Sequence, residues 1–435
     1  MIASTRSRGR LLNVLIEGQL VGRLFENSGV WSFEYEKTWC DTGFALAPGL
    51  PLHQSRIADT GSERPVQWFF DNLLPEEMAR QRLVASLEKG EWDAWSLLER
   101  FGSESAGAIT LLAPEAKLAE PGLLLMTDVQ LEARIQKMPF VALSSEAPKK
   151  MSLAGAQEKL AVVVDAQGLI YEPVGSQLST HILKPNALSE HYPASAVNEW
   201  YCARIAQLLK LNVPSVALRH VPSPVYIIER FDRQLIHGVL TRRHVLDAAQ
   251  ALSLSSGSKY TLAGPAALNR IVSLCRAKAP TRIGLFRWTL FNVLIGNHDA
   301  HLKNLSLYAG REGYSLAPHY DFVSTVSWAR PDLVAVGPRW PDLELTHPIG
   351  DARFFADLRR RHVLDFGAAI QLPIKVIERE LDRLVGTISD IADRVYQEFE
   401  LRSDIPNHQR AGQLYMINTI RQLPIKEMVA QLSIQ

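Results

Sequence analysis

The chain has 435 residues, which allows two or three domains and a large buried core. Its net charge is +1, so bulk charge does not favour nucleic-acid binding, and its composition is that of an ordinary soluble globular protein. Three widely spaced cysteines exclude a disulfide framework and a zinc motif. No apolar run approaches the ~18 residues of a membrane helix, and Leu11–Ile16 is too short for a signal peptide. The sequence therefore predicts a cytoplasmic protein without a membrane partner.

The N-terminal segment mixes predicted strands and helices. Alternating or turn-flanked apolar segments predict four strands: Leu11–Glu17, Leu20–Phe25, Trp31–Tyr35 and Ala106–Leu112. Pro75, followed by Glu76 and Glu77, marks the start of a helix that is expected to run to Leu87. A second helix is expected over Asp93–Phe101. Residues 1–112 are therefore predicted to form an N-terminal α+β subdomain.

Residues 113–150 contain several prolines and are predicted to be an irregular connecting segment. Residues 151–233 are predicted to form a nucleotide-binding small lobe. Strands are expected over Leu160–Val164 and Val225–Glu229, and Lys184 falls at the end of another strand. The predicted helix Pro193–Leu209 carries Glu199.

Residues 234–435 are predicted to form a mainly helical C-lobe that holds the catalytic and metal-binding loops. Helices are expected over His244–Leu252, Gly264–Cys275, Gly284–Leu294, Ala352–Ala368, Ile374–Glu400 and Gln409–Leu423. Two short strands are expected between these helices, over Leu305–Tyr308 and Tyr314–Ala317.

A dense polar stretch follows the apolar run that ends at Gly296. Within it Asp299 and Asn304 stand five residues apart. Asp321 comes later in the chain and directly precedes Phe322. Protein kinases use this order for a catalytic base, a metal-binding Asn and a metal-binding Asp. Asp299 is therefore predicted to accept the proton of the attacking hydroxyl, and Asn304 and Asp321 to bind Mg²⁺ through oxygen.

Other charged residues extend the prediction of phosphoryl transfer from ATP. Lys184 would hold the α- and β-phosphates, and Glu199 would orient that lysine. Lys303 would neutralise γ-phosphate charge in the transition state. The loop Ser152–Lys159 precedes two strands and is predicted to cover the phosphates, although its single glycine fits neither the kinase glycine-rich loop nor the Walker loop. Its Ser152 would lie close to the phosphoryl donor.

Each of these residues also has an ordinary structural explanation. Lys184 alone would be a surface lysine, and Asp299 alone a helix cap or a turn residue. The segment Gly296–Asp299 also resembles a fragment of dinuclear metallophosphoesterases, but that site needs several further ligands. Neither an Asp-x-His nor a Gly-Asp-x-x-Asp motif precedes residue 296. The ordered set as a whole therefore favours a kinase.

Several longer stretches resemble the HipA-type serine/threonine kinases, which are toxins of bacterial toxin–antitoxin pairs. The matching stretches, in family order, are Phe69–Pro75, Ser105–Ile109, Ser152–Lys159, Thr180–Lys184, Asn198-Glu199, Glu229–Arg233, Gln250–Leu252 with Lys259-Tyr260, and Phe291–Tyr308. The resemblance implies an α+β, bilobal protein-kinase-like fold with an N-terminal α+β subdomain. It also implies ATP and Mg²⁺ as cofactors.

Carried over residue by residue, the resemblance makes Asp299 the catalytic base and Asn304 and Asp321 the metal ligands. The ATP contacts that it implies are Ala154, Gly155, Ala156, Gln157, Glu158, Lys159, Lys184, Glu229, Arg230, Phe231, His301, Leu302, Lys303 and Asn304. It further implies autophosphorylation of Ser152, which expels the phosphate loop and switches the kinase off.

The resemblance also implies partners. The expected protein substrate is an aminoacyl-tRNA synthetase of the glutamyl-tRNA synthetase type, whose phosphorylation would stop translation and growth. A HipB-like helix-turn-helix antitoxin would restrain the kinase, and the complex would bind operator DNA. Pro185–Pro193 departs from the family pattern, which leaves the target open. A small-molecule or lipid kinase, or a co-repressor acting with its antitoxin, stays open as well. Arg242-Arg243 and Arg359–Arg361 are either DNA-phosphate contacts or plain surface charge.

Overall fold

The computed structural model describes residues 9–85, 87, 92–138, 140–149, 151, 157–329 and 343–434. Within them, the chain forms an N-terminal unit, a small sheet-based lobe and a larger, mainly helical lobe. The four predicted strands are present in the N-terminal unit, where they belong to an antiparallel sheet with the order β4-β3-β2-β1-β5. Its strands are β1 (Arg10–Ile16), β2 (Gln19–Asn27), β3 (Val30–Tyr35), β4 (Arg56–Ala58) and β5 (Ile109–Leu112).

Four helices accompany this sheet: α1 (Lys37–Thr42), α2 (Pro65–Asp71), α3 (Glu77–Ala85) and α4 (Ala94–Phe101). Asp93 caps α4, since its carboxylate accepts a hydrogen bond from the backbone N–H of Ser96. Helix α2 was not predicted. Its Phe69 and Phe70 are buried, and it begins at a proline in the first helical turn.

The small lobe is built on an antiparallel sheet with the order β10-β11-β9-β7-β8-β6. Its elements are β6 (Gly122–Met126), α5 (Asp128–Lys137), β7 (Leu160–Val164), β8 (Ile170–Val174), β9 (His181–Pro185), α6 (Ser195–Leu208), β10 (Val216–His220) and β11 (Pro224–Glu229). The prediction of an irregular segment over residues 113–150 is wrong, because β6 and α5 lie within it. Strand β6 adds an edge to the sheet through β8, and α5 packs on the sheet through Leu131 and Ile135.

The larger lobe contains short strands between its helices. They are β12 (Arg233–Ile236), β13 (Val239–Arg242), β14 (Val245–Asp247), β15 (Ser306–Gly310), β16 (Gly313–Leu316), β17 (Glu344–Ile349) and β18 (Ala352–Phe354). The helices are α7 (Ala248–Ala251), α8 (Pro265–Leu274), α9 (Lys278–Leu294), α10 (Arg360–Ala369), α11 (Ile374–Glu400), α12 (Asn407–Ile420) and α13 (Lys426–Ser433). Pro424 lacks an N–H donor, and the chain passes from α12 to α13 through a π turn, Arg421–Ile425.

Three of the predicted helices are wrong at their N-terminal ends. The helix predicted over Gly284–Leu294 begins earlier, at Lys278, and the other two begin as strands. The segment His244–Leu252 begins as β14, which pairs with β15, and only the alanine-rich part after Asp247 is helical. The segment Ala352–Ala368 begins as β18, which pairs with β17. Strand pairing overrides local helix propensity in both cases, with the distant β15 for β14 and with the adjacent β17 for β18.

One continuous hydrophobic core includes buried residues of all three units, such as Leu12, Tyr201 and Leu432. The N-terminal unit is therefore packed into the rest of the chain. None of the helices in the described parts of the chain has both the length and the apolarity needed to cross a membrane.

Candidate active site

Three charged side chains meet between the two lobes. Lys184, near the end of β9, places its ammonium group 2.7 Å from Oε1 of Glu199 on α6 and 2.8 Å from Oδ1 of Asp321. Lys184 and Glu199 are almost fully buried, whereas Asp321 is partly exposed. The structure thus brings together the predicted phosphate-binding lysine, its orienting glutamate and a predicted metal ligand.

The ionisation of these groups reflects their mutual contacts. Burial opposes the charge of Lys184, but Asp321 and Glu199 raise the pKa of its ammonium group, so it stays protonated. Burial also opposes the charge of Asp321, yet Lys184 lowers its pKa to about 2. Burial raises the pKa of Glu199 to about 7 against the opposing effect of Lys184. Asp321 is therefore the firmly ionised carboxylate of the cluster, as a ligand for a divalent cation must be.

The two predicted metal ligands lie on neighbouring loops joined by Tyr320. Its hydroxyl donates to the carbonyl oxygen of Lys303 at 2.7 Å, directly before Asn304. The side-chain N–H of Asn304 donates to the backbone oxygen of Asp299, which leaves the amide oxygen as the group able to bind a cation. Asp321 has a positive φ of 61°, an uncommon conformation at functional sites for a residue other than glycine.

These oxygens fit Mg²⁺, which prefers hard oxygen ligands and keeps several waters and phosphate oxygens in its shell. Among the residues that the structure describes, no group of three or more His, Cys, Asp or Glu side chains could hold a metal ion. Asp321 and Asn304 would therefore supply the protein part of a magnesium site that a nucleotide completes. The described residues therefore provide no ligand set for the dinuclear phosphoesterase alternative.

The loop that carries Asp299 is fixed by hydrogen bonds on both sides. It leaves α9 at Gly296, whose φ of +66° suits glycine. The backbone N–H of Asp299 donates to the side-chain oxygen of Asn297 at 3.0 Å. The hydroxyl of Tyr260 donates to Oδ1 of Asp299 at 2.5 Å, and the Tyr260 ring stands edge-on to His301. The carboxylate of the predicted base is thus oriented by a hydroxyl group from a different segment.

Lys303 does not have the free ammonium group expected of a residue that binds the γ-phosphate. Its Nζ donates to Oδ2 of Asp247 at 2.6 Å and to Oδ1 of Asn72 at 2.8 Å, and it lies 3.2 Å from Glu76. These contacts tie the predicted catalytic loop, residues 297–304, to the N-terminal unit. The position of Lys303 thus supports a structural role, while the neighbouring Leu302 is buried in the core and His301 is buried beside Tyr260.

The residues of the linker between the lobes differ in what their side chains contact. Phe231 stacks on Tyr320 with ring centroids 5.4 Å apart, next to the predicted metal loop. Arg230 instead directs its guanidinium group into a buried network, where it donates two hydrogen bonds to Asp232 and further ones to Glu104 and Ser179. Glu229 is exposed. The Arg230 guanidinium group is therefore engaged within the protein, and the ATP contacts expected of Glu229, Arg230 and Phe231 stay predictions.

The predicted phosphate loop is described from Gln157 onwards; Ser152, Ala154, Gly155 and Ala156 lie outside the described residues. Gln157 donates from its side chain to the carbonyl oxygen of Pro185. Glu158 accepts a hydrogen bond from the backbone N–H of Leu143, a structural contact. Burial and then the nearby charge of Lys184 lower the pKa of Lys159 to about 8. Lys159 and Lys184 are therefore close enough to repel each other, as two lysines that converge on one polyphosphate would be.

Sequence reasoning missed three contributors to this site: Tyr260, Tyr320 and Glu76. The pair Lys259-Tyr260 belongs to a stretch that resembles the family, and this resemblance is the one feature of the sequence that could have indicated a role for Tyr260. Nothing in the sequence pairs Glu76 with the lysines that it contacts. Neither alternative predicted for Arg242, a contact with DNA phosphate or plain surface charge, fits the structure, because Arg242 is buried and donates to Thr110. Arg243 lies over the Tyr308 ring.

Comparison with known proteins agrees with this architecture. The two lobes, with the Lys184 cluster between them and the Asp299 loop beside it, define a protein-kinase-like protein. Models of the HipA N-terminal domain and of the HipA-like C-terminal domain match residues 12–112 and 151–390. The chain belongs to the HipA family.

Individual relatives support the same assignment. The serine/threonine-protein kinase toxin HipA of Shewanella oneidensis is 31% identical over 312 residues, or 68% of this chain and 70% of that protein. The protein Y4mE of Sinorhizobium fredii is 30% identical over 405 residues, or 89% and 92% of the two chains. The structure of the Shewanella oneidensis complex of HipA, HipB and operator DNA matches with a TM-score of 0.74 and 25% identity, covering 96% and 99% of the two chains. The predicted kinase-like α+β fold is confirmed.

Proposed function

We propose that this protein is an ATP-dependent serine/threonine protein kinase that acts as the toxin of a bacterial toxin–antitoxin system. The observation that carries the proposal is the placement of the Lys184 ammonium group between Glu199 and Asp321 in the cleft between the lobes. In protein kinases a lysine–glutamate pair and a metal-binding Asp must both be in place for phosphoryl transfer. Family membership adds independent support.

In the proposed reaction, each residue has a separate task. Lys184 and Lys159 hold the phosphates of ATP, and Glu199 keeps Lys184 in place. Asp321 and Asn304 hold the magnesium ion, which when bound neutralises charge on the phosphates. Asp299 accepts the proton of the attacking serine or threonine hydroxyl, with its carboxylate oriented by Tyr260.

The proposal is tested by phosphate transfer from labelled ATP. Purified wild-type protein is compared with Asp299→Asn, which keeps the shape of the side chain but cannot take a proton. We expect transfer to a protein acceptor by the wild type and a loss of at least about 100-fold in the variant. A variant with wild-type activity would show that Asp299 is not the base. Label that enters small molecules or lipids in a lysate, and no protein, would favour the alternative substrate class.

The biological partners are also part of the proposal. The Shewanella oneidensis relative is named a toxin, and a matching structure contains HipB and operator DNA. By analogy, we propose a HipB-like helix-turn-helix antitoxin, binding of operator DNA by the complex, and an aminoacyl-tRNA synthetase of the glutamyl-tRNA synthetase type as substrate. Phosphoproteomics after brief expression, with Asp299→Asn as control, identifies the substrate. A phosphorylated protein unrelated to tRNA charging would replace that part of the proposal.

We also propose that Ser152 is autophosphorylated, because in the sequence it begins the predicted phosphate loop Ser152–Lys159, directly before β7. Intact-mass spectra of the wild type and of Ser152→Ala, with and without ATP and Mg²⁺, decide this point. One phosphate on the wild type and none on the variant is expected. An equal phosphate count on both would place the modification elsewhere.

A further inference from the structure

A chain of buried charges connects the N-terminal unit to the catalytic loop. Glu76, just before α3, bridges two lysines of the larger lobe. Its Oε2 accepts a hydrogen bond from Lys259 Nζ at 2.9 Å, and its Oε1 lies 3.2 Å from Lys303 Nζ. All three side chains are at most 10% exposed. We propose that Glu76 is a positioning residue for phosphoryl transfer, which rests on the proposed kinase function.

The two lysines lie next to the groups that hold Asp299. Lys259 directly precedes Tyr260, whose hydroxyl donates to the Asp299 carboxylate. The carbonyl oxygen of Lys259 also accepts a hydrogen bond from the backbone N–H of Leu302. Glu76 therefore fixes the segment that orients the predicted base and, through that segment, one side of the catalytic loop.

The second lysine is linked to Asp299 through its neighbour in the chain, Asn304. Lys303 directly precedes Asn304, whose side chain donates to the backbone oxygen of Asp299. Lys303 is also bound by Asn72, which comes from the same part of the N-terminal unit as Glu76. The side-chain N–H of Asn72 in turn donates to the carbonyl oxygens of Trp68 and Leu254. The N-terminal unit thus holds both sides of the loop that carries the base.

Glu76 supplies negative charge that compensates two buried ammonium groups, those of Lys259 and Lys303. Burial disfavours both ammonium groups, and Glu76 is among the carboxylates that keep the pKa of Lys259 and that of Lys303 above the usual value. Without Glu76, Lys303 keeps Asp247, but Lys259 keeps only Glu77 among its described carboxylate partners, and the Glu77 side chain is 58% exposed. The loss of Glu76 therefore acts mainly on the segment that carries Tyr260, and a small displacement of a catalytic group is costly.

The test compares Glu76→Gln with the matched control Glu77→Gln. Glu77 also contacts Lys259, but it is exposed and has no described contact with Lys303. We expect Glu76→Gln to lower kcat about 10- to 100-fold with a KM for ATP within about threefold of wild type, because ATP contacts are intact and the base is displaced. Glu77→Gln stays near wild type. Equal kcat values for Glu76→Gln and the wild type would overturn the proposal, and so would equal losses in the two variants.

A double-mutant cycle shows whether Glu76 acts through Tyr260. If it does, Glu76→Gln combined with Tyr260→Phe loses little more activity than the worse single variant. Fully multiplicative losses would show that Glu76 acts by another route. Circular dichroism melting of each variant separates a loss of positioning from a loss of folding.

A readout that needs no activity keeps this inference separate from the proposed function. Amide hydrogen exchange over residues 297–304 is measured in the wild type and in Glu76→Gln. We expect faster exchange in this loop of the variant and unchanged protection in β1 and β2. A wild type that transfers no phosphate would reject the kinase proposal alone, whereas unchanged exchange over residues 297–304 would reject the positioning role alone.

Discussion

The ammonium group of Lys184 lies 2.7 Å from a carboxylate oxygen of Glu199, and this contact joins β9 to α6. Both side chains are almost fully buried, so removing either partner leaves the other without its compensating charge. Because Lys184 also contacts Asp321, the pair links the interior of the small lobe to the predicted metal loop. We therefore expect a substitution of Lys184 to change both the stability of the fold and the rate of phosphate transfer.

We expect Lys184→Met to lower the free energy of unfolding by about 3 kcal/mol, since it removes one partner of a buried ion pair. It should also reduce phosphate transfer by about 100-fold or more, because the phosphates lose their cation. Urea unfolding and steady-state kinetics measure the two effects. Lys210→Met is the matched control, because Lys210 is exposed. A Lys184→Met variant with wild-type kcat and KM would remove Lys184 from the site.

Tyr260→Phe removes the hydroxyl that donates to the Asp299 carboxylate and leaves the ring beside His301. A hydrogen bond to a charged group contributes roughly 1.5 kcal/mol or more, so kcat should fall about tenfold, with little change in the KM for ATP. Tyr396→Phe is the matched control, since Tyr396 donates a similar hydrogen bond to Glu400 on the surface of α11. If both variants lose the same activity, the Tyr260 hydroxyl has no special role.

The sequence was sufficient for the parts of the site that follow a fixed local order. Asp299 and Asn304 share one loop, and Asp321 follows shortly after the β15–β16 hairpin, so their order along the chain predicts a common site. Tyr260 could not be predicted in this way, because its contact with Asp299 depends on how the chain returns after α8 and α9. Glu76 lies further still from Lys303 along the chain, and a Glu after a proline has the ordinary explanation of a helix start.

The fold shows the same division between local and distant information. The long amphipathic pattern of Ile374–Glu400 predicted α11 at its observed bounds. Strand β6 was missed because three consecutive leucines show no alternation, and an edge strand is defined by its partner β8. Strand β14 was missed because it is three residues long and is followed at once by a helix with a capping box at Asp247.

Gly296 lies where the C-terminal end of α9 passes into the catalytic loop, and its conformation makes a side chain costly. A β-carbon there would stand 2.8 Å from Cβ of Val326 and 2.9 Å from Cβ of Pro424, at a φ of +66°. We expect Gly296→Ala to lower the free energy of unfolding by about 2–4 kcal/mol and to reduce phosphate transfer by displacing Asp299. Gly386→Ala within α11 is the control, because open space surrounds that position and alanine favours a helix by about 1 kcal/mol. Equal stability of the two variants would contradict this account of Gly296.

The buried network around Arg230 predicts a specific acid sensitivity. Burial raises the pKa of Asp232, but the guanidinium groups of Arg230 and Arg233 lower it by more, so that the resulting pKa is about 2. Because the folded-state pKa lies below the ordinary value of ~4, this carboxylate stabilises the fold fully above about pH 4 and loses that effect as the pH falls towards 2. The expected size of this pH-dependent contribution is about 2 kcal/mol.

The Asp232→Asn variant isolates that contribution. It should be less stable than the wild type at pH 6, since buried arginines lose a charged partner, and the difference in unfolding free energy should narrow between pH 4 and pH 2. Urea unfolding of both proteins across this range gives the difference directly. Asp382→Asn is the control, because Asp382 pairs with Arg360 at an exposed site, where a salt bridge contributes little at any pH. A wild-type-to-variant difference that stays constant from pH 6 to pH 2 would mean that Asp232 has no lowered pKa in the folded protein, and the network would then act through packing and neutral hydrogen bonds.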